Sequence, residues 1–168
     1  MYASLRPRLI PTALLLLATA FAPLAAAPPD GYAFKPLTQA LQQAADEGKP
    51  MLLYYGRYGC TTCRKMHAEV FSDAGLQQRL NSEFALAYVD TESSARITLP
   101  SGERTTEMQF AANSRILGTP TFVFFAPDQE PLFKVAGFKT IEQMQRYGDY
   151  VTGGYYKSEP LDAFLAKP

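Results

Sequence analysis

The sequence predicts a single α/β domain in which a central mixed β-sheet is flanked by helices and a C-x-x-C pair opens one helix. Three observations predict it. Helix-spaced and strand-length apolar segments alternate along the chain. The unbroken apolar run Met51 to Tyr55 leads straight into Cys60-Thr61-Thr62-Cys63. Two later runs, Thr121 to Phe125 and Leu132 to Val135, flank Pro127-Asp128-Gln129-Glu130 in the manner of an antiparallel hairpin.

The elements follow in order. Leu37 to Glu47 has apolar residues at helical spacing, and Gly48-Lys49-Pro50 ends it. Met51 to Tyr55 is a buried strand. The cysteine pair then opens a helix, with Cys60 expected at its first position, that continues from Arg64 to Phe71. Ser72-Asp73 breaks it and caps a second helix from Ala74 to Leu80. Phe84 to Val89 is the next strand, parallel to the first because a helical crossover joins them. Ile97-Thr98-Leu99 and Pro100-Ser101-Gly102 suggest a short hairpin. Thr106 to Leu117 is helical, and Gly118-Thr119-Pro120 interrupts it before the hairpin of Thr121 to Val135. Ile141 to Val151 is a closing helix, ended by Gly153-Gly154, and Ser158 is expected to cap a last short helix running to Ala166.

The chain has 168 residues, of which 47% are hydrophobic and 19% charged, enough to bury a core. Residues 1–27 read as a signal peptide and residues 28–168 as the domain. Arg6 and Arg8 precede a charge-free stretch from Leu9 to Pro29 that prolines interrupt, which points to cleaved export rather than a membrane span. Ala25-Ala26-Ala27 supplies the cleavage region, with the cut after Ala27 or one residue earlier because Pro28 disfavours it. The expected destination is an oxidising compartment, the periplasm of a Gram-negative cell. Without the leader the chain holds fourteen cations against sixteen acids, a net −2. That leaves no cationic footprint for nucleic acid or anionic lipid. Two cysteines and one histidine exclude a zinc site built from Cys and His alone, and also a disulfide-rich scaffold.

A cysteine at the start of a helix has its sulfur near unpaired N–H groups and the positive end of the dipole, which stabilises the thiolate. Cys60 is therefore the candidate nucleophile. Cys63, about one helical turn on, can attack the mixed disulfide that Cys60 forms with a substrate. Arg57, Arg64 and Lys65 surround the pair and would favour the thiolate further, although they also read as ordinary solvated cations. Other readings of the pair are weaker. A purely structural disulfide closing so short a ring contributes about 2 kcal/mol. Haem attachment needs His where Arg64 stands. Soft ligands at Cys60, Cys63 and His67, with Met66 nearby, leave a copper-binding chaperone as an alternative.

Cys60-Thr61-Thr62-Cys63 on a strand-to-helix turn, with Gly118-Thr119-Pro120-Thr121 before a later strand, resembles the thioredoxin superfamily over roughly residues 37–151. GKPMLLYYG, CRKMHAEVFSD and the ending YVTGGYYKSEPLDAFL look most like the exported SoxW-type thioredoxins, and also the C-terminal domain of the membrane reductase DsbD. The resemblance implies the thioredoxin fold and a periplasmic thiol-disulfide oxidoreductase of the protein-disulfide reductase type. It further implies protein disulfides or dithiols as substrates, a membrane electron donor of the DsbD or CcdA kind, and no bound cofactor. Cys60 would attack and Cys63 resolve. Pro120 would be the cis-proline facing the cysteines, and the Thr119 N–H and C=O would be offered to an extended substrate strand. A dithiol oxidase or disulfide isomerase using the same residues is the alternative direction.

The chain departs from ordinary thioredoxin in three places: Tyr58-Gly59 stands in place of Trp, the dipeptide is Thr-Thr, and no carboxylate lies on Met51 to Tyr55. His67, on the helix face of Cys60 and Cys63, can replace the missing acid as a neutral proton acceptor, or be a plain half-buried helix residue. Tyr147, Tyr150, Tyr155 and Tyr156 can form a docking patch or simply pack the closing helices.

Overall fold

In the computed structural model, residues 27–167 are described. The leader expected over residues 1–27 lies outside them, save Ala27. In chain order the elements are β1 (Lys35–Pro36), α1 (Leu37–Glu47), β2 (Met51–Gly56), α2 (Thr61–Glu69), α3 (Ala74–Glu83) and β3 (Ala85–Asp90). There follow β4 (Arg96–Thr98), β5 (Arg104–Thr106), α4 (Glu107–Asn113), β6 (Thr121–Phe125), β7 (Pro131–Ala136), α5 (Ile141–Thr152), a 3₁₀ turn (Tyr155–Lys157) and α6 (Leu161–Leu165).

Five strands form one mixed sheet in the order β1-β3-β2-β6-β7. β1 and β2 run parallel to β3, whereas β6 runs antiparallel to β2 and to β7. β4 and β5 make a separate hairpin. Every residue of β2 is buried, which is why its sequence is an unbroken apolar run rather than an alternation.

The period of two divides that run between two cores. Leu52 and Tyr54 join Met66, Leu76, Leu80, Phe122, Phe124, Met144 and Tyr147 on the face covered by α2, α3 and α5. Met51, Leu53 and Tyr55 join Leu37, Ala40, Ala44 and Ala111 on the face covered by α1 and α4. Tyr147 and Tyr150 lie inside the first core, and the Tyr150 hydroxyl donates to the Glu159 carbonyl at 2.7 Å. Packing therefore accounts for these two tyrosines, and Tyr155 packs against Phe164 at a tilt with ring centres 4.8 Å apart.

Local chemistry sets most boundaries. Gly48 closes α1 at φ 61°, a conformation that costs other residues energy. The Asp73 carboxylate accepts from the Leu76 N–H at 2.7 Å and starts α3. Thr140 and Gln143 form a reciprocal capping box on α5. Two expectations change, and one strand is new. α4 stops at Asn113 rather than Leu117, because Arg115 turns left-handed at φ 53° while the Ile116 N–H reaches the Ala111 carbonyl and the Arg115 N–H the Ala112 carbonyl. That is a Schellman close with arginine where glycine is usual, and Lys134 Nζ from β7 binds the Ser114 and Arg115 carbonyls at 3.2 Å each. α6 begins after Pro160, and Ser158 instead donates to the Tyr155 carbonyl at the end of the 3₁₀ turn. β1, two residues long and half proline, carries no sequence signal.

Phe124 is fully buried and its ring touches those of Phe84, Phe133 and Tyr147. Phe124→Ala is expected to cost about 3–5 kcal/mol, read as a lowered urea midpoint. Leu117→Ala, at a side chain 98% exposed, is expected to leave that midpoint within experimental error.

Candidate active site

β2 ends at Gly56 on the carboxyl edge of the sheet, and the chain turns through Arg57-Tyr58-Gly59 into α2. Gly56 sits where the Tyr88 hydroxyl approaches: a Cβ there would lie 2.7 Å from that oxygen. Cys60 and Cys63 form a disulfide, with Cα atoms 5.2 Å apart and 5% exposure each. Cys60 is the N-cap of α2 rather than its first helical residue, and its sulfur accepts the Cys63 N–H at 3.1 Å. Capping, done elsewhere by a hydroxyl or carboxylate, is here done by the sulfur itself. Because the helix begins at Thr61, Arg64 and Lys65 stand just past its first turn.

The Cys60 sulfur also lies 3.4 Å from the Thr119 carbonyl oxygen, a contact that becomes an S–H donation when the pair is reduced and Cys60 protonated. The Thr119–Pro120 bond is cis, Pro120 is buried, and the Gly137 N–H holds its carbonyl at 2.8 Å. The Thr119 carbonyl thus faces the cysteine rather than open solvent. The Thr119 hydroxyl is buried and has no hydrogen-bond partner among the described residues.

A cavity of about 260 Å³ beside the disulfide brings together Arg57, Cys60, Cys63, Arg64 and His67. The sequence reading grouped these residues, but it did not single out Tyr54 and Tyr88, which line the cavity with Ala27, Tyr58 and Gly59. Lys65 is not among them. Its ammonium lies 4.6 Å over the Phe138 ring and 3.9 Å from Glu69, on another side of the helix. Arg57 contacts the Tyr58 carbonyl at 3.4 Å and Glu92 at 3.3 Å, an exposed ion pair worth at most about 1 kcal/mol.

His67 Nε2 meets the Tyr54 hydroxyl at 3.1 Å, and its ring packs edge-on against Tyr54 and Phe71. Burial holds the imidazole below its usual pKa, and Asp30 opposes this weakly. The Tyr54 and Tyr88 phenols are pushed up by burial and stay protonated. Nε2 is engaged by Tyr54, and Cys60 and Cys63 are joined to each other as a disulfide. Among the described residues no three His, Cys, Asp or Glu side chains gather around a metal position.

The sequence profile of the Thioredoxin-like domain family matches residues 37–152. Among solved structures, a thioredoxin-fold protein from Helicobacter pylori is similar with a TM-score of 0.61 at 19% identity, over 71% of this chain and 83% of that one. A thioredoxin from Thermus thermophilus is similar with a TM-score of 0.59 at 26% identity, over 72% and 87%. The reduced C-terminal domain of Neisseria meningitidis DsbD has a TM-score of 0.50 at 18% identity, over 68% and 96%. No curated protein matches the chain in sequence.

His67 makes stability depend on pH. Its folded pKa lies below the unfolded value near 6.5, so as pH falls beneath about 6.5 the unfolded chain binds the proton first and the fold loses stability. In urea titrations, His67→Gln is expected to flatten the decline between pH 7 and 5. Parallel pH profiles for the two proteins would contradict the assignment.

Proposed function

The chain belongs to the thioredoxin-like domain family, and from that premise we propose that it is an exported thiol-disulfide oxidoreductase acting on protein substrates, in the reducing direction. The observation that carries the reading is the Cys60 sulfur at the N-cap of α2, hydrogen-bonded by the Cys63 N–H and bonded to a partner one turn away. In the reduced protein the same N–H and the helix dipole favour a thiolate at Cys60.

That thiolate attacks one sulfur of a substrate disulfide. A Cys60–substrate disulfide forms and one substrate thiolate leaves. Cys63, deprotonated, then attacks the Cys60 sulfur, closes the Cys60–Cys63 disulfide and releases the second substrate thiolate, so two electrons pass to the substrate. His67 takes the Cys63 proton at Nδ1 while Nε2–H donates to the Tyr54 oxygen. Arg57 adds positive charge beside the pair. An extended substrate strand lies against Thr119 and cis-Pro120.

The leader read in residues 1–27 would deliver the protein to the periplasm, where a membrane donor of the DsbD or CcdA kind reduces it again. The resemblance of its sequence to the exported SoxW-type thioredoxins supports this reading. The matching family favours exchange over the copper alternative.

Cys63→Ser is expected to accumulate a mixed disulfide between Cys60 and its protein substrates, visible as a mass shift that dithiothreitol reverses. Cys60→Ser is expected to form none. A Cys60/Cys63 potential near −270 mV is expected, and one near −120 mV would reverse the direction. His67→Gln is expected to slow the resolving step most at pH 6 to 7. Unchanged resolution rates from pH 6 to 8 would remove His67 from the proton path.

A further inference from the structure

Two hollows lie on either side of Arg57, the one residue they share, and only one of them has the disulfide in its wall. One runs along Leu117, Gly118 and Thr119, where the proposed function seats a protein strand. The other is the cavity of about 260 Å³ with Cys60 and Cys63 in its wall. Ala27, the last residue of the expected leader, closes one end, and the size, below the roughly 300 Å³ at which drug-sized pockets begin, suits a small molecule.

Its chemistry is one-sided. Tyr54, Tyr88 and His67 give aromatic walls, and the two phenols, kept protonated by burial, have hydroxyl groups to donate. Among the described residues no carboxylate lines it, and the nearest one, Asp30, acts on His67. Arg57 shares its charge with Glu92, whereas the Arg64 guanidinium donates only to the Thr61 hydroxyl at 3.3 Å and pairs with no carboxylate among the described residues. A cavity that combines a reactive disulfide, an uncompensated guanidinium and aromatic walls suits an anion that also carries sulfur.

We propose that this cavity binds a small carboxylate-bearing thiol, with its carboxylate on Arg64 and its sulfur against the Cys60–Cys63 disulfide, as a second source of electrons. The proposal rests on the disulfide-exchange reading. The bound thiolate attacks the Cys60 sulfur, a mixed disulfide forms, and Cys63 leaves as a thiolate that takes a proton. A second thiolate attacks the ligand's sulfur in that mixed disulfide and releases Cys60. Two thiols thus become one small disulfide, and their two electrons reduce the protein pair.

The test compares mercaptoacetate with 2-mercaptoethanol as reductants of the oxidised protein, following free cysteines by alkylation and mass. Each rate is taken per thiolate and divided by that of the same thiol on the urea-unfolded chain, which removes intrinsic nucleophilicity. The folded protein is expected to favour mercaptoacetate by threefold or more. Arg64→Gln is expected to bring that preference close to one, while Lys65→Gln, which removes the same charge one residue away and outside the cavity, keeps it. A preference near one in the unaltered protein, or equal losses in the two variants, overturns the cavity assignment. Reduction by dithiothreitol but by neither monothiol also overturns it and leaves exchange standing. Resistance to dithiothreitol as well would overturn both.

Discussion

The burial of β2 on both faces is the constraint from which the rest of the molecule follows. A strand with two apolar faces needs cover on each, and its alternate residues distribute themselves between two cores. The helices are amphipathic to fit: Met66 and Val70 bring α2 to one face, while Leu37, Ala40 and Ala44 bring α1 to the other. With β3 and β6 hydrogen-bonded on its flanks, β2 is the most constrained segment of the chain. The cysteines are attached to its carboxyl end by three residues, so the redox pair inherits a fixed position.

At that position the electrostatics come from the backbone more than from side chains. β2 carries no carboxylate, Arg57 is matched by Glu92, and Lys65 is turned toward Phe138. Apart from the Arg64 guanidinium across the cavity, what remains next to the Cys60 sulfur is the Cys63 N–H, the start of a nine-residue helix and the Thr119 carbonyl. The two amide groups act in opposite senses. The N–H stabilises negative sulfur, whereas the carbonyl oxygen is a better neighbour for a protonated or bonded one. The balance between them rests on main-chain geometry, which surface substitutions barely disturb.

The fold was largely legible because its signals are strong and local. Apolar runs of strand length, Gly48 after α1, Asp73 before α3 and the turn between β6 and β7 each have one physical interpretation, and the elements fall where these place them. The cysteine pair was legible for the same reason, since a spacing of three on a helix allows few arrangements. What escaped depended on partners distant in sequence. α4 ends early because Arg115 adopts a glycine-like conformation and Lys134, nineteen residues away, binds its carbonyl. Tyr54 and Tyr88 looked like any other aromatic residue in an apolar run, because only the assembled sheet shows which face looks toward the cysteines. His67 was found, but its hydroxyl partner on β2 could be identified only once strand and helix were packed together.

The two outer strands of the sheet differ from β2 in a way that bears on how the protein behaves in a crowded compartment. β1 offers two residues, one of them a proline without an N–H, and β7 opens with Pro131, pairs through a bulge at Phe124/Phe125 and carries Lys134 at its middle. Prolines, bulges and a charged edge are the features that discourage one sheet from adding to another. In the proposed role, strand-like contact is thereby confined to the segment beside the disulfide. The ends of its ladder stay closed to strands from other chains.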